Sequence, residues 1–270
     1  MDGRNGGLES AARALDRVGV HIAILQEIKF ADAKYAGRNW AGYKIRTAAA
    51  TSAHCGGVAL LYKEGPRVQD LYRMENDRVV GKNVVSCEVV TGLRKKQRGW
   101  DETRYFIVGC YIPPSEKDGT TRRLVEKALD SRPKGSIPIV LGDLNADLEF
   151  PRNRQEVILA AGIEKHGLGC LTRDFRVRRK GRRRRRHERT RGRWTFRKRM
   201  TNAAGEQYWA RSKPDYFLTR EKDRRRFTRC RWVRPTGHNS DHRALITRME
   251  AGRPEDMRRY RKKMETCPMT

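Results

Sequence analysis

Four places in the sequence set chemically capable polar residues at the ends of apolar runs. Gln26-Glu27 closes the run that starts at His21, and Tyr111 closes Tyr105–Tyr111 ahead of Ile112-Pro113-Pro114. Gly142-Asp143-Leu144-Asn145 follows Ile137–Leu141, and Ser240-Asp241-His242 precedes Ala244–Met249. In extended backbone, residues two apart point the same way, so Asp143 and Asn145 are expected on one side with Leu144 toward the core. Carboxylates, an amide and an imidazole at strand ends suit hydrolysis of a phosphate ester. Hard carboxylate oxygens hold Mg²⁺, and the metal neutralises charge developing on phosphoryl oxygens. A carboxylate orients or deprotonates a water while a histidine contacts the phosphate. Taken singly, each residue also reads as an ordinary turn, loop or strand residue; Asp-Leu-Asn is a common turn composition. Their order along one chain separates the two readings.

The elements that must position these residues follow from hydrophobic spacing. Leu8, Ala11, Leu15 and Val18 recur at helical intervals and predict an amphipathic helix over 8–18. Apolar runs at 21–27, 57–62, 84–90, 105–111, 137–141, 215–218 and 244–249 read as strands. Further helices are expected over Thr120–Leu129, with threonine caps, and over Gln155–Ala161, stopped by Gly162. Helices interspersed among strands in 270 residues indicate one large α/β domain. The six cysteines are scattered without a C-x-x-C pair, which argues against a disulfide framework and a zinc ribbon. His238-x-x-x-His242 comes nearest to zinc-ligand spacing, but Gly237, Asn239 and Ser240 make that stretch a loop.

Charge narrows the partner. There are 61 Lys+Arg against 32 Asp+Glu, a net charge of +29. Such an excess attracts a polyanion and has no use in small-metabolite chemistry. The segment Leu171–Arg199 alone carries +14, and its centre, RRKGRRRRRHERTRGR, has nothing apolar to offset the entropy of ordering. A mobile basic insertion is expected at about 173–193. Arg182, Arg183, Arg184, Arg185, Arg186, Arg193 and Arg197 are candidate nucleic-acid contacts. The domain is expected to occupy 1–250, with a basic tail over 251–270. No apolar run reaches the roughly 18–20 residues of a membrane-spanning helix. No signal-type segment opens the chain, so an intracellular, nuclear protein without a membrane partner is expected.

The ordered series L-Q-E, G-G-V-A-L-L-Y, Y-I-P-P, G-D-L-N, K-P-D-Y-F-L (213–218) and S-D-H-R-A-L (240–245) resembles the endonuclease/exonuclease/phosphatase superfamily, the DNase I-like fold. Within it, the chain looks most like the apurinic/apyrimidinic-type endonuclease domain of non-LTR retrotransposons, over roughly residues 7 to 249. The resemblance implies a four-layer α/β sandwich, two packed β-sheets flanked by helices. It implies Mg²⁺, or Mn²⁺, as cofactor, with no small-molecule cofactor, and DNA as the partner that is nicked. Carried onto matching positions, Glu27 becomes the principal metal ligand with Asp241 beside the metal. Asp143 activates the attacking water and Asn145 orients it. His242 binds the scissile phosphate, Asp215 holds that histidine, and Tyr111 stands near the leaving oxygen.

One departure bears on activity. The superfamily opens with a strand carrying an Asn of the metal and phosphate site, followed within a few residues by Gly-Leu. Here only MDGRNG precedes Gly7-Leu8; Arg4 falls where the Asn belongs and Asn5 is one residue out of register. A Gly-rich segment is a poor core strand, so the fold is expected to lack its first strand. Two other readings therefore accompany the endonuclease: a nucleic-acid-binding remnant of the same fold, and a phosphomonoesterase of the superfamily, which the charge disfavours.

Overall fold

The computed structural model describes residues 6–29, 39–52, 55–69, 71–92, 102–171, 195–203, 205–233 and 241–249. The Arg-rich stretch 173–193, the tail 251–270 and the first five residues lie outside the described residues. So therefore do the mobile-insertion expectation and the missing first strand.

In chain order the elements are α1 (Gly6–Arg17), β1 (Ile22–Gln26), β2 (Asn39–Trp40), β3 (Tyr43–Ser52), β4 (Cys55–Lys63), α2 (Pro66–Gln69), β5 (Tyr72–Gly81), β6 (Val84–Thr91) and β7 (Thr103–Tyr111). There follow α3 (Thr120–Asp130), β8 (Ile137–Asp143), α4 (Arg154–Lys165), β9 (Leu168–Cys170), β10 (Phe196–Thr201) and β11 (Gln207–Ser212). The last are β12 (Asp215–Arg220), a 3₁₀ turn (Glu221–Arg226), β13 (Phe227–Val233) and β14 (Ala244–Met249). One sheet has the order β1-β4-β3-β2 and a second the order β5-β6-β7-β8-β12-β9. Within the second, β7 and β8 run parallel, with Tyr111 opposite Asp143, and β8 and β12 antiparallel, with Asp143 opposite Asp215.

Strand alternation explains the layering. In β4, Val58, Leu60 and Tyr62 turn inward and meet Ile107, Ile139 and Phe217 between the sheets. Ala59 and Leu61 turn the other way, onto Leu8 and Ala12 of α1. On the far side, Phe106, Val108 and Val140 pack against Val125 and Leu129 of α3 and Leu159 of α4. The expected four layers are present: α1, four strands, six strands, then α3 and α4. Each fully buried aliphatic side chain in these layers contributes about 1.5–3 kcal/mol. The sheets approach closely at Gly109, where an added Cβ would fall 2.6 Å from Ile24 Cδ1.

Some local expectations are corrected. α4 runs through Gly162 to Lys165. A Cβ at that glycine would meet Glu126 Oε1 of α3 at 2.8 Å, the far end of a side chain that can move aside. The N-cap of α3 is Gly119, with no side-chain cap; Thr120 and Thr121 instead bond Asp118 and Glu116 in the preceding loop. α1 ends at Arg17, so its buried face is Leu8, Ala11 and Ala12, and Val18 is exposed. Cys87, Cys110, Cys170 and Cys230 are free thiols.

Two hairpins complete the described structure, β10–β11 and β13–β14. Among the described residues, β1 pairs only with β4, and β14 only with β13. No described helix is long and apolar enough to cross a membrane.

Candidate active site

The ends of β1, β7, β8 and β12 converge, and each delivers one of the residues singled out in the sequence. Glu27 follows β1 with φ 54, in the left-handed region that non-glycine residues seldom occupy. The kink is held by Lys29 N–H on the Gly56 carbonyl at 3.0 Å and by Ile28, 1% exposed, packed over Gly57. A Cβ at Gly57 would stand 2.8 Å from Ile28 Cγ1, so this strand can accept the turn only as glycine. The Tyr111 hydroxyl, itself buried, donates to Glu27 Oε1 at 2.7 Å and fixes the carboxylate.

Asp143 ends β8 at 3% exposure. The preceding Gly142 runs so close to β7 that a Cβ would fall 1.9 Å from the Cys110 carbonyl oxygen. The chain then leaves extended geometry: Asn145 has φ 44, which corrects the expectation that Asp143 and Asn145 share one face of a strand. They are joined differently. Asn145 N–H donates to Asp143 Oδ1 at 2.9 Å, and Asn145 Nδ2 donates to the Ile112 carbonyl at 2.9 Å. Leu144 is buried as expected.

His242 meets Asp215 through Nδ1 and Oδ2 at 2.9 Å, and its Nε2 lies 3.9 Å from Asp143 Oδ2. Ligand atoms of Asp143, Asp215 and His242 all fall within 4.8 Å of one another, a grouping that could hold a metal. Asp241 is exposed on the neighbouring position, and its backbone carbonyl accepts from Arg197 N–H at 3.1 Å. Arg197 stacks its guanidinium 4.5 Å from the Trp209 ring centroid on the β10–β11 hairpin. Arg182, Arg183, Arg184, Arg185, Arg186 and Arg193 lie outside the described residues.

The electrostatics follow from this crowding. Burial, then the Asp215 charge, with Glu27 adding, push Asp143 up to about 7 against the Asn145 N–H and His242. Burial opposes charging of His242, but the hydrogen bond and charge of Asp215, with Asp143 and Asp241, outweigh it and raise the imidazole to about 9. At neutral pH the histidine is a cation facing a carboxylate poised to take or release a proton.

Three supporting residues were not singled out by sequence reasoning. Buried Asn83 accepts from Gly57 N–H through Oδ1 at 2.6 Å, and its carbonyl accepts from Tyr111 N–H at 3.0 Å, tying the Glu27 side to β7. Fully buried Thr195 accepts from Asp215 N–H through Oγ1 at 3.3 Å and from Arg243 N–H through its carbonyl at 2.7 Å. Phe196 packs its ring 4.9 Å from that of His242, and the two residues form a β-bridge. The run Trp194-Thr195-Phe196-Arg197, which follows the arginine-rich stretch, could have flagged the last two; nothing in the sequence around Asn83 marks it beyond an ordinary Asn turn.

Sheets stacked in this order, with acids and an imidazole delivered from the ends of both, place the chain in the DNase I-like class. The chain belongs to the Endonuclease/Exonuclease/phosphatase family, whose pattern matches residues 2–242. No curated protein matches it. Among solved structures it is similar to the endonuclease domain of TRAS1, a telomere-specific non-LTR retrotransposon, at 15% identity and TM-score 0.59, over 92% of this chain and 94% of that one. The Xenopus laevis APE2 catalytic domain is similar at 16% identity and TM-score 0.58, over 93% and 90%. The 3′ phosphatase NExo from Neisseria, bound to a product DNA hairpin, is similar at 15% identity and TM-score 0.55, over 92% and 96%.

Proposed function

We propose that this site hydrolyses phosphodiester bonds in DNA with a divalent metal, Mg²⁺ in the first instance and Mn²⁺ as a substitute, leaving a nick. The observation that carries the reading is the pairing of a cationic His242 with Asp215 beside the buried Asp143, with Glu27 held by Tyr111. The donor set suits a hard cation: the Glu27 carboxylate, with Asp241 alongside, in a place where burial and then carboxylate crowding already disfavour ionisation of Asp143. The metal, when bound, neutralises charge on the phosphoryl oxygens and draws Asp143 into its ionised form.

The protein's own groups do the rest. Asp143 accepts the proton of the attacking water, and Asn145 fixes the Asp143 carboxylate through its N–H. His242, charged at neutral pH and oriented by Asp215, binds the scissile phosphate and stabilises the charge gained in the transition state. Attack in line opens the bond to the 3′ oxygen and leaves a 3′-hydroxyl and a 5′-phosphate. The Tyr111 hydrogen bond to Glu27 supports a positioning role for that tyrosine alongside any contact with the leaving oxygen. A retrotransposon-type role, in which the freed 3′-hydroxyl primes reverse transcription, draws support from the motif series and the basic charge together. The β10–β11 hairpin supports DNA as substrate: Arg197, Lys198, Arg199 and Arg211 lie beside the exposed Tyr208 and Trp209, the mix of cations and rings that nucleic acid favours. A nuclear location accords with such a substrate.

A second reading, a nucleic-acid-binding protein that keeps the fold without turnover, is favoured by one observation: Arg4 stands where the family's site Asn belongs. Nicking of supercoiled plasmid with Mg²⁺, by the wild-type chain and by Asp143→Ala, decides between the two.

A further inference from the structure

The end of the six-stranded sheet opposite the catalytic residues carries a second charged feature. There the start of β7, the start of β8 and the end of β12 meet the 3₁₀ turn Glu221–Arg226 around an open cleft of about 370 Å³. The seven residues of β8 separate this rim from Asp143 by ~20 Å, at about 3.3 Å per residue. Arg104, Arg220, Lys222, Arg225 and Arg226 line it against two carboxylates, Glu102 and Asp223.

Both acids are already engaged. Glu102 Oε2 accepts from Arg104 Nη2 at 3.3 Å, and Asp223 Oδ2 from Arg220 Nε at 2.5 Å. Lys222 and Arg225 are exposed, and among the described residues Arg226 Nη1 reaches the neutral Thr103 Oγ1, at 3.4 Å. Behind them Arg132 Nη1 is buried without a hydrogen-bond partner among the described residues. Burial and the neighbouring Arg220 hold that guanidinium below its ordinary range, with Asp223 opposing. Arg104 is held by Glu75 as well, at 3.0 Å, and by Glu88 at 3.7 Å, so the surplus of cations lies on Lys222, Arg225 and Arg226, which an anion from outside would engage.

We propose that this cleft is a second phosphate-backbone site, which holds a nucleic-acid segment the catalytic centre does not cut. It rests on the nucleic-acid reading above. The cations stand on two separate chain segments, β7 and the continuous stretch 220–226, around an open rim, which suits a run of phosphates. β12 links the two sites directly, beginning at Asp215 and ending at Arg220.

The test counts 16-bp duplexes bound per full-length chain in EDTA, where no cutting occurs. Lys222→Ala/Arg225→Ala/Arg226→Ala is compared with a charge-matched control, Arg152→Ala/Arg154→Ala/Lys165→Ala, on the exposed surface around α4. The cleft variant is expected to bind one duplex fewer than wild type, and the control the same number. The slope of log affinity against log salt for the lost duplex is expected to fall by about 0.9 per phosphate contact removed. Equal weakening in the two variants would overturn the proposal by reducing the cleft to general charge. So would occupation by inorganic tripolyphosphate that leaves the duplex count unchanged. If the triple variant melts early, Lys222→Ala/Arg225→Ala, confined to exposed side chains, gives the same comparison. A chain that loses a duplex in the cleft variant yet never nicks plasmid keeps this site and refutes the catalytic reading. A chain that nicks but loses no duplex refutes this site alone.

Discussion

Nδ1 of His242 and Oδ2 of Asp215 lie 2.9 Å apart, joined from the loop before β14 and the first residue of β12. The pair fixes which imidazole nitrogen faces Asp143 and keeps the ring charged at neutral pH. Asp215→Asn removes the charge while preserving shape. We expect kcat for nicking to fall by about 10³ to 10⁴-fold, as for other carboxylate–histidine pairs, with the His242 pKa falling from about 9 toward 6.5. NMR titration of the imidazole checks the second effect independently of turnover.

In the metal-free protein, Asp143 is raised from its ordinary 3.8 to about 7 and His242 from 6.5 to about 9. Both folded values exceed the unfolded ones. Each group thus contributes its full stability below its unfolded value and loses it as pH climbs through its folded value. Melting temperatures in EDTA are expected to decline across about pH 4–9 on this account. Asp143→Asn, which cannot ionise, gains on wild type as pH climbs from about 4 to 7 and keeps that gain above 7. Mg²⁺ restores more stability at pH 8 than at pH 5, because binding then displaces fewer protons. Parallel wild-type and Asp143→Asn profiles would contradict this.

Tyr111→Phe deletes the hydroxyl on Glu27 and leaves the ring in place. Residues that orient metal ligands typically contribute 10–100-fold in metal affinity or activity. The Mg²⁺ concentration giving half-maximal nicking is expected to rise by about that factor, while the rate at saturating Mg²⁺ changes less.

Gly142→Ala places a Cβ 1.9 Å from the Cys110 carbonyl oxygen, a clash with backbone that no rotamer relieves. A loss of about 3 kcal/mol is expected, measured as a lower urea midpoint. The neighbouring Gly135, with nothing within 4 Å of its Cβ position, provides the contrast in available space.

How much of this was legible beforehand depended on burial. Strands inside the sandwich, such as β4, β6, β7 and β8, announce themselves as apolar runs because both faces are covered. β5, with the sequence YRMENDRVVG and one face in water, and the β10–β11 hairpin, with cations along both strands, carry no such run and were not expected. The site residues were found because carboxylates and imidazole stand out after apolar runs. Their geometry was not. Left-handed backbone at Glu27 leaves no mark in residue type, and Asn83 acts through a backbone carbonyl as much as through its side chain. Gly162 shows the converse, a glycine read as a stop that the helix runs through.

The central claim is that Asp143 and its neighbours cut DNA. The most direct measurement is conversion of supercoiled plasmid to the open circle by the full chain in Mg²⁺, set beside EDTA and Asp143→Ala. The expected result is metal-dependent nicking by wild type that falls by at least about 10³-fold in Asp143→Ala. Equal nicking by both proteins, or no nicking by wild type under any divalent metal, would contradict the account.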